Sequence, residues 1–253
     1  MPPLAIHTRI ARETADQIQS ETLDASRGNL YLGSTTPDVR VLTRWDRQRT
    51  HFFDIHNFDD QSCVSSFFET NPSLADAGAL DSRTAAFVAG YVSHLVVDEM
   101  WIAAIYRPHF GERSPLSGSF RANVMDRAIQ FSMDAETRSD SDMMLHIVQA
   151  VAECDLDIPI DFIDRDTLGR WHGVVTDFVQ NQPDWERFRS RVRAHLESLG
   201  QITSDGDYEE IVLSLPELVD ETVRYLGRDR LETVMRESVE ASTRAVKDYL
   251  ACG

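Results

Sequence analysis

The stretch DSRTAAFVAGYVSHLVVDEMWIAAIYR, residues 81–107, decides the fold. Asp81 or Ser82 serves as an N-cap, and the segment then runs without a breaker to Tyr106-Arg107, where Pro108 is expected to stop it. Apolar residues face nearly every direction around it: Phe87, Val88, Tyr91, Val92, Leu95, Val97, Trp101 and Ile105. A helix that is apolar all round belongs at the centre of a bundle. Yet His94 and Asp98 sit four apart inside it, on one face. A carboxylate in such surroundings is costly unless it is paired or bound to a metal.

The remaining segments read as helices packed around that one. Residues 4–20 place Ile6, Ile10, Ala11 and Ile18 near helical spacing, with His7, Ala11, Thr14 and Ile18 on one side. Residues 28–40, GNLYLGSTTPDVR, read as a loop, with Gly33 and Pro37 as breakers. A short helix covers 60–70, and further helices are expected over 120–137, 141–153, 166–181, 184–199, 207–226 (interrupted by Pro216) and 229–251. No β alternation or internal repeat stands out. The expectation is an all-α fold: one compact multi-helix bundle over 1–253 with a buried His/Asp metal centre. SDGD at 204–207 is the best linker, and 207–253 would form a C-terminal helical pair.

Composition narrows the function. The chain has 253 residues and a net charge of −17, with a pI near 4.8 and a mean hydropathy of −0.32. Such a surface repels phosphate backbones and anionic membranes, which argues against nucleic acid as a partner. Cys63, Cys154 and Cys252 are far apart, so neither a disulfide framework nor a thiolate zinc site is expected. No apolar run approaches the ~20 residues of a membrane span, and no signal peptide is read, so the expected location is cytoplasmic.

Three histidines and two aspartates stand in otherwise apolar surroundings in the first hundred residues: His7, Asp38, His51, His94 and Asp98. Imidazole nitrogen and carboxylate oxygen suit zinc, and also iron or manganese. Metal binding would compensate the burial of both aspartates. Five other histidines remain. His109 could reach a metal but reads better as an exposed loop residue, and His146 and His195 read as structural. His56, five residues after His51, could replace it, and His172 beside Trp171 could add a ligand. Glu99 points about 100° away from Asp98 and is expected to pair with an arginine. Tyr91 and Trp101 share the ligand face, and could line a pocket or simply pack. Phe52, Phe53, Phe58, Phe67 and Phe68 read as core. GxGxxG, GxxxxGK[ST], HExxH and GxSxG are all absent.

The order of these motifs, with His7 in a first helix, LGSTTPD ending in Asp38, THF at His51 and then GYVSHLVVDEMW, resembles the zinc-dependent phospholipase C family over roughly residues 1–110. The resemblance implies an all-α fold related to that of the single-strand-specific zinc nucleases. It implies that Asp38, His51, His94 and Asp98 hold one zinc, and that Asp98 bridges to a second zinc bound by His7. It further implies a metal-activated water attacking phosphorus, with Asp38 as a ligand and general base. The sequence departs from the family pattern after residue 98. No HxxxE pair follows, since Ala150 stands four residues after His146 and Thr176 four after His172. One or two zinc ions are therefore expected rather than three. The activity expected is hydrolysis of a phosphoric ester, with a small phosphodiester or a phospholipid-like molecule as substrate. The rivals are a lyase or iron oxygenase on the same scaffold, or a helical binding protein without catalysis.

Overall fold

A computed structural model describes residues 2–59, 61–181, 186, 190 and 215–251. Among these residues the fold is all-α: α1 (Leu4–Ile18), α2 (Glu21–Ala25), α3 (Arg27–Thr35), a 3₁₀ turn (Thr36–Val39), α4 (Arg40–Thr43), α5 (Arg47–His51), α6 (Cys63–Thr70), α7 (Ser82–Trp101), α8 (Phe120–Arg138), α9 (Ser141–Ala152), α10 (Arg165–Gln180), α11 (Leu215–Leu226) and α12 (Arg228–Leu250). The expected helix over 184–199, the SDGD linker and residues 207–214 lie largely outside the described residues. Pro216 sits in the first turn of α11, where its missing N–H is tolerated.

The central helix is α7. Asp81 caps it, its carboxylate accepting from the N–H groups of Arg83 and Thr84. Phe87, Tyr91, Val92, Leu95 and Trp101 are all buried, and α3, α12, α1 and α6 pack around them. The helix does not stop at Pro108. It widens into a π-helix over Ile102–Phe110 that carries Pro108 inside it, and Gly111 N–H closes back on Tyr106 O at 2.7 Å. A proline clashes with the carbonyl four residues before it in an α-helix, and a wider turn relieves that clash. The combined helix Ser82–Phe110 is long and apolar enough, by length and composition, to cross a membrane. That differs from the reading of the sequence alone. However, 72% of its most apolar window is buried inside the fold, so neighbouring helices cover that surface.

The segment 28–40 is not a loop. It forms α3 and the 3₁₀ turn, and Gly28 through Pro37 are buried throughout. Gly33 and Gly90 explain why glycine there is no breaker. A Cβ on Gly33 would stand 2.0 Å from Phe87 O, and one on Gly90 would stand 2.0 Å from Leu30 O. The glycines let the α3 and α7 backbones touch, which brings the end of α3 against the histidine-bearing turn of α7. The N-terminus of α1 is held from α8: Ala5 N–H donates to Asp134 Oδ1 at 3.1 Å.

Candidate metal centre

Four separate elements deliver the polar residues to one place. α1 carries His7, the 3₁₀ turn carries Asp38, α5 carries His51, and α7 carries His94 and Asp98. His7, His51, His94 and Asp98 are buried, while the Asp38 side chain keeps 23% of its exposure and marks the open side. The donors form two overlapping sets that could each hold a metal ion: His7, His94 and Asp98, and Asp38, His51 and His94.

The imidazoles are aimed by their outer nitrogens. His94 Nδ1 lies 2.8 Å from Ser34 O, at the end of α3. A carbonyl only accepts, so Nδ1 carries the proton and Nε2 presents a lone pair inward. His51 Nδ1 lies 2.9 Å from Thr50 Oγ1, which turns His51 Nε2 inward as well. The two Nε2 atoms stand only 3.4 Å apart. His7 stacks on His94 with ring centroids 3.7 Å apart, and neither of its nitrogens has a hydrogen-bond partner.

The inward distances are too long for good hydrogen bonds, which favour 2.7–3.2 Å. His51 Nε2 lies 3.3 Å from Asp98 Oδ2 and 3.5 Å from Asp38 Oδ1. His94 Nε2 lies 3.5 Å from Asp98 Oδ2, and His7 Nε2 lies 3.5 Å from Asp98 Oδ1. Ligand atoms about 2.0–2.1 Å from a tetrahedral zinc stand roughly 3.3 Å from one another. Asp98 Oδ1 has no hydrogen-bond partner, although it is buried and anionic. The donor set and the orphaned atoms fit a divalent cation.

Electrostatics supply the matching charge. Burial opposes ionisation of Asp98, but the charges of His94 and Arg47 outweigh it and hold the carboxyl well below its ordinary value. Burial likewise opposes ionisation of Asp38, and the adjacent His51 imidazole and the charge of His94 outweigh it. Burial pushes the His51 imidazole down to about 4. Burial and the charge of His94 push His7 down. For His94 burial acts downward too, but Asp98 overcomes it and the pKa rises. Of the three imidazoles, His94 is therefore the one that binds a proton most readily.

The other histidines stand outside both sets. His56 is exposed and lies 3.6 Å from Glu112. His109 is not in a loop but in the π-helix, packed edge-on to Tyr225. His172 Nε2 donates to Val151 O at 2.7 Å. His146 is exposed on α9, and His195 lies outside the described residues. Among the described residues Glu99 meets no arginine; it accepts from the Cys63 thiol at 2.7 Å. Tyr91 packs, its hydroxyl donating to Thr50 O at 2.6 Å, and Trp101 donates to Asp126 at 3.0 Å. Phe67 and Phe53 are buried in the core, whereas Phe58 is 40% exposed. The residue that sequence reasoning passed over is Arg47, whose Nη2 donates to Asp98 Oδ2 at 3.1 Å. Its spacing of one helical turn before His51 was the available signal.

No curated protein and no solved structure matches the chain. Residues 6–172 match the family described as zinc dependent phospholipase C. That span reaches well beyond residue 110 and includes His7, Asp38, His51, His94 and Asp98. With the all-α fold and the buried donor set, this match makes the chain a member of the zinc-dependent phospholipase C family.

Proposed function

We propose that the protein hydrolyses phosphoric diesters at a zinc centre in which Asp38, His51, His94 and Asp98 hold one ion. His7 completes that set or, with Asp98, holds a second ion. The observation that carries this reading is the spacing of three pairs of inward atoms, His51–Asp98, His51–Asp38 and His94–Asp98, at 3.3–3.5 Å: longer than good hydrogen bonds and close to tetrahedral zinc spacing. When bound, zinc lowers the pKa of a water molecule and offsets charge on phosphoryl oxygens.

The protein's own residues supply the rest. Ser34 O and Thr50 hold the His94 and His51 rings with Nε2 turned inward. Asp98, ionised and buried, balances the cation. Asp38 is ionised and reaches the open side, so its carboxylate is placed to take a proton from an attacking water as the phosphorus–oxygen bond to the leaving alcohol breaks. The proton taken by Asp38 passes to the departing alkoxide, so the products are a phosphomonoester and an alcohol.

Elemental analysis of untagged protein tests the reading, followed by hydrolysis of bis(4-nitrophenyl) phosphate. One or two zinc per chain are expected, and His94→Ala or Asp98→Ala should lose both metal and hydrolysis while the helical circular dichroism persists. Full hydrolysis by metal-free protein would overturn it. Iron in place of zinc would redirect the search to oxidative chemistry.

A further inference from the structure

Arg47 does more at this centre than neutralise Asp98. Its Nη2 is used on Asp98 Oδ2, but Nε and Nη1 are buried with no hydrogen-bond partner, and the side chain is only 13% exposed. A counter-ion role explains Nη2 alone. Arg40, two residues beyond Asp38, sets its charge against Arg47, and its Nε is also buried without a partner. Two guanidinium groups near one another, with three buried donors unfilled, are unfavourable both as like charges and as desolvated polar groups. An anion against one edge of the Arg47 guanidinium reduces both penalties, offsetting the like charges and accepting from a donor left unfilled. The local sequence agrees: Arg40, Arg44, Arg47 and Arg49 crowd the span between Asp38 and His51 in a chain of net charge −17.

We infer that Arg47, backed by Arg40, binds the non-bridging oxygens of a phosphoryl group lying against the metal centre, with Asp98 holding the guanidinium in register. This rests on the zinc-centre reading above. A phosphoryl group fits better than a carboxylate. Arginine's planar fork matches either one, but a carboxylate has two oxygens to divide between the fork and a cation. A phosphoryl group has oxygens for both. Arg47 thereby acts as a specificity residue for anionic phosphoesters.

The test is calorimetric titration of inorganic phosphate, with acetate as the carboxylate control, into zinc-loaded wild-type protein, Arg47→Lys, Arg47→Ala and Arg40→Ala. Zinc content is measured on each sample. Arg47→Lys keeps a charge beside Asp98 but removes the fork, so it carries the test even if Arg47→Ala does not fold. Zinc should be retained in Arg47→Lys while phosphate binds about tenfold or more weakly, the scale of a lost hydrogen bond to a charged group. Arg40→Ala should weaken phosphate by a smaller factor. Phosphate affinity within about twofold of wild type in zinc-loaded Arg47→Lys would overturn the inference. So would loss of zinc in that variant, or acetate binding as tightly as phosphate. Wild-type protein without zinc would instead overturn the metal reading. Phosphate titration of that metal-free protein against Arg47→Lys would then judge Arg47 by itself.

Discussion

Replacing Gly90 with alanine should separate the two helices that build the candidate metal centre, and the contrast with Gly173 isolates the cause. Both glycines lie inside helices. Alanine is intrinsically favoured over glycine there by about 1 kcal/mol. At Gly173 nothing lies within 4 Å of an added Cβ, so Gly173→Ala should stabilise by up to about 1 kcal/mol. At Gly90 the added Cβ would stand 2.0 Å from Leu30 O and 2.7 Å from Ser34 N, both backbone atoms. Ordinary contact begins near 3.4 Å, so α3 must retreat by about 1.4 Å. A gap of that size forfeits much of the dispersion along the crossing, and overpacking of this kind costs about 3 kcal/mol at the upper end of its usual range. Against the propensity gain, the net loss is about 2 kcal/mol. In a chain of this size that lowers Tm by roughly 4–8 °C. The same retreat carries Ser34 O away from His94 Nδ1, now 2.8 Å away, and should weaken zinc binding. Urea denaturation and zinc titration of the two variants check this. Gly90→Ala that is stabilised like Gly173→Ala, with unchanged zinc affinity, would refute the close-crossing argument.

Removing the carboxylate of Asp134 should loosen α1 and with it His7. It takes the acceptor from Ala5 N–H and the ion-pair partner, at 2.9 Å, from buried Arg138. Asp134→Ala should cost about 3 kcal/mol, as broken buried pairs do. Denaturation read beside zinc affinity checks this, and a variant equal to wild type in both would count against it. Zinc uptake should release protons near neutral pH. The His94 pKa is raised above its ordinary 6.5, so the stability it lends to metal-free protein is full below pH 6.5 and lost as pH rises through the raised value. A metal ion takes that proton's place, so apparent affinity should climb with pH. Calorimetry in buffers of different ionisation enthalpy measures the release; identical enthalpies at pH 7 would contradict it.

Periodicity made the large helices legible because each buries a stripe or, in α7, its whole circumference. α1, α6, α8, α9, α10 and α12 begin and end within a few residues of the reading. It failed at residues 28–40 and at Pro108. Gly33 looks like a breaker locally, but its missing side chain serves a helix crossing that only the partner helix reveals. Pro108 forbids an α-turn, not a wider one. His7, Asp38, His51, His94 and Asp98 could be singled out in the sequence, since metal chemistry restricts the side chains that can serve, and the fold brings them together in two overlapping groups. Choosing among the remaining histidines was not a sequence question. His172 and His109 are used by Val151 O and Tyr225, contacts made across the fold.

The sequence by itself therefore determined the all-helical class, the central position of residues 82–101 and the kinds of donor available for a cation. Those follow from spacing and residue chemistry, which are local. The tertiary structure decided that inward nitrogens and oxygens meet at 3.3–3.5 Å, that Asp38 alone of the five faces the open side, and that Arg47 closes on Asp98 with donors to spare. Each depends on how α1, α3, α5 and α7 cross, and that angle and depth are set by packing among all four helices rather than by any one of them.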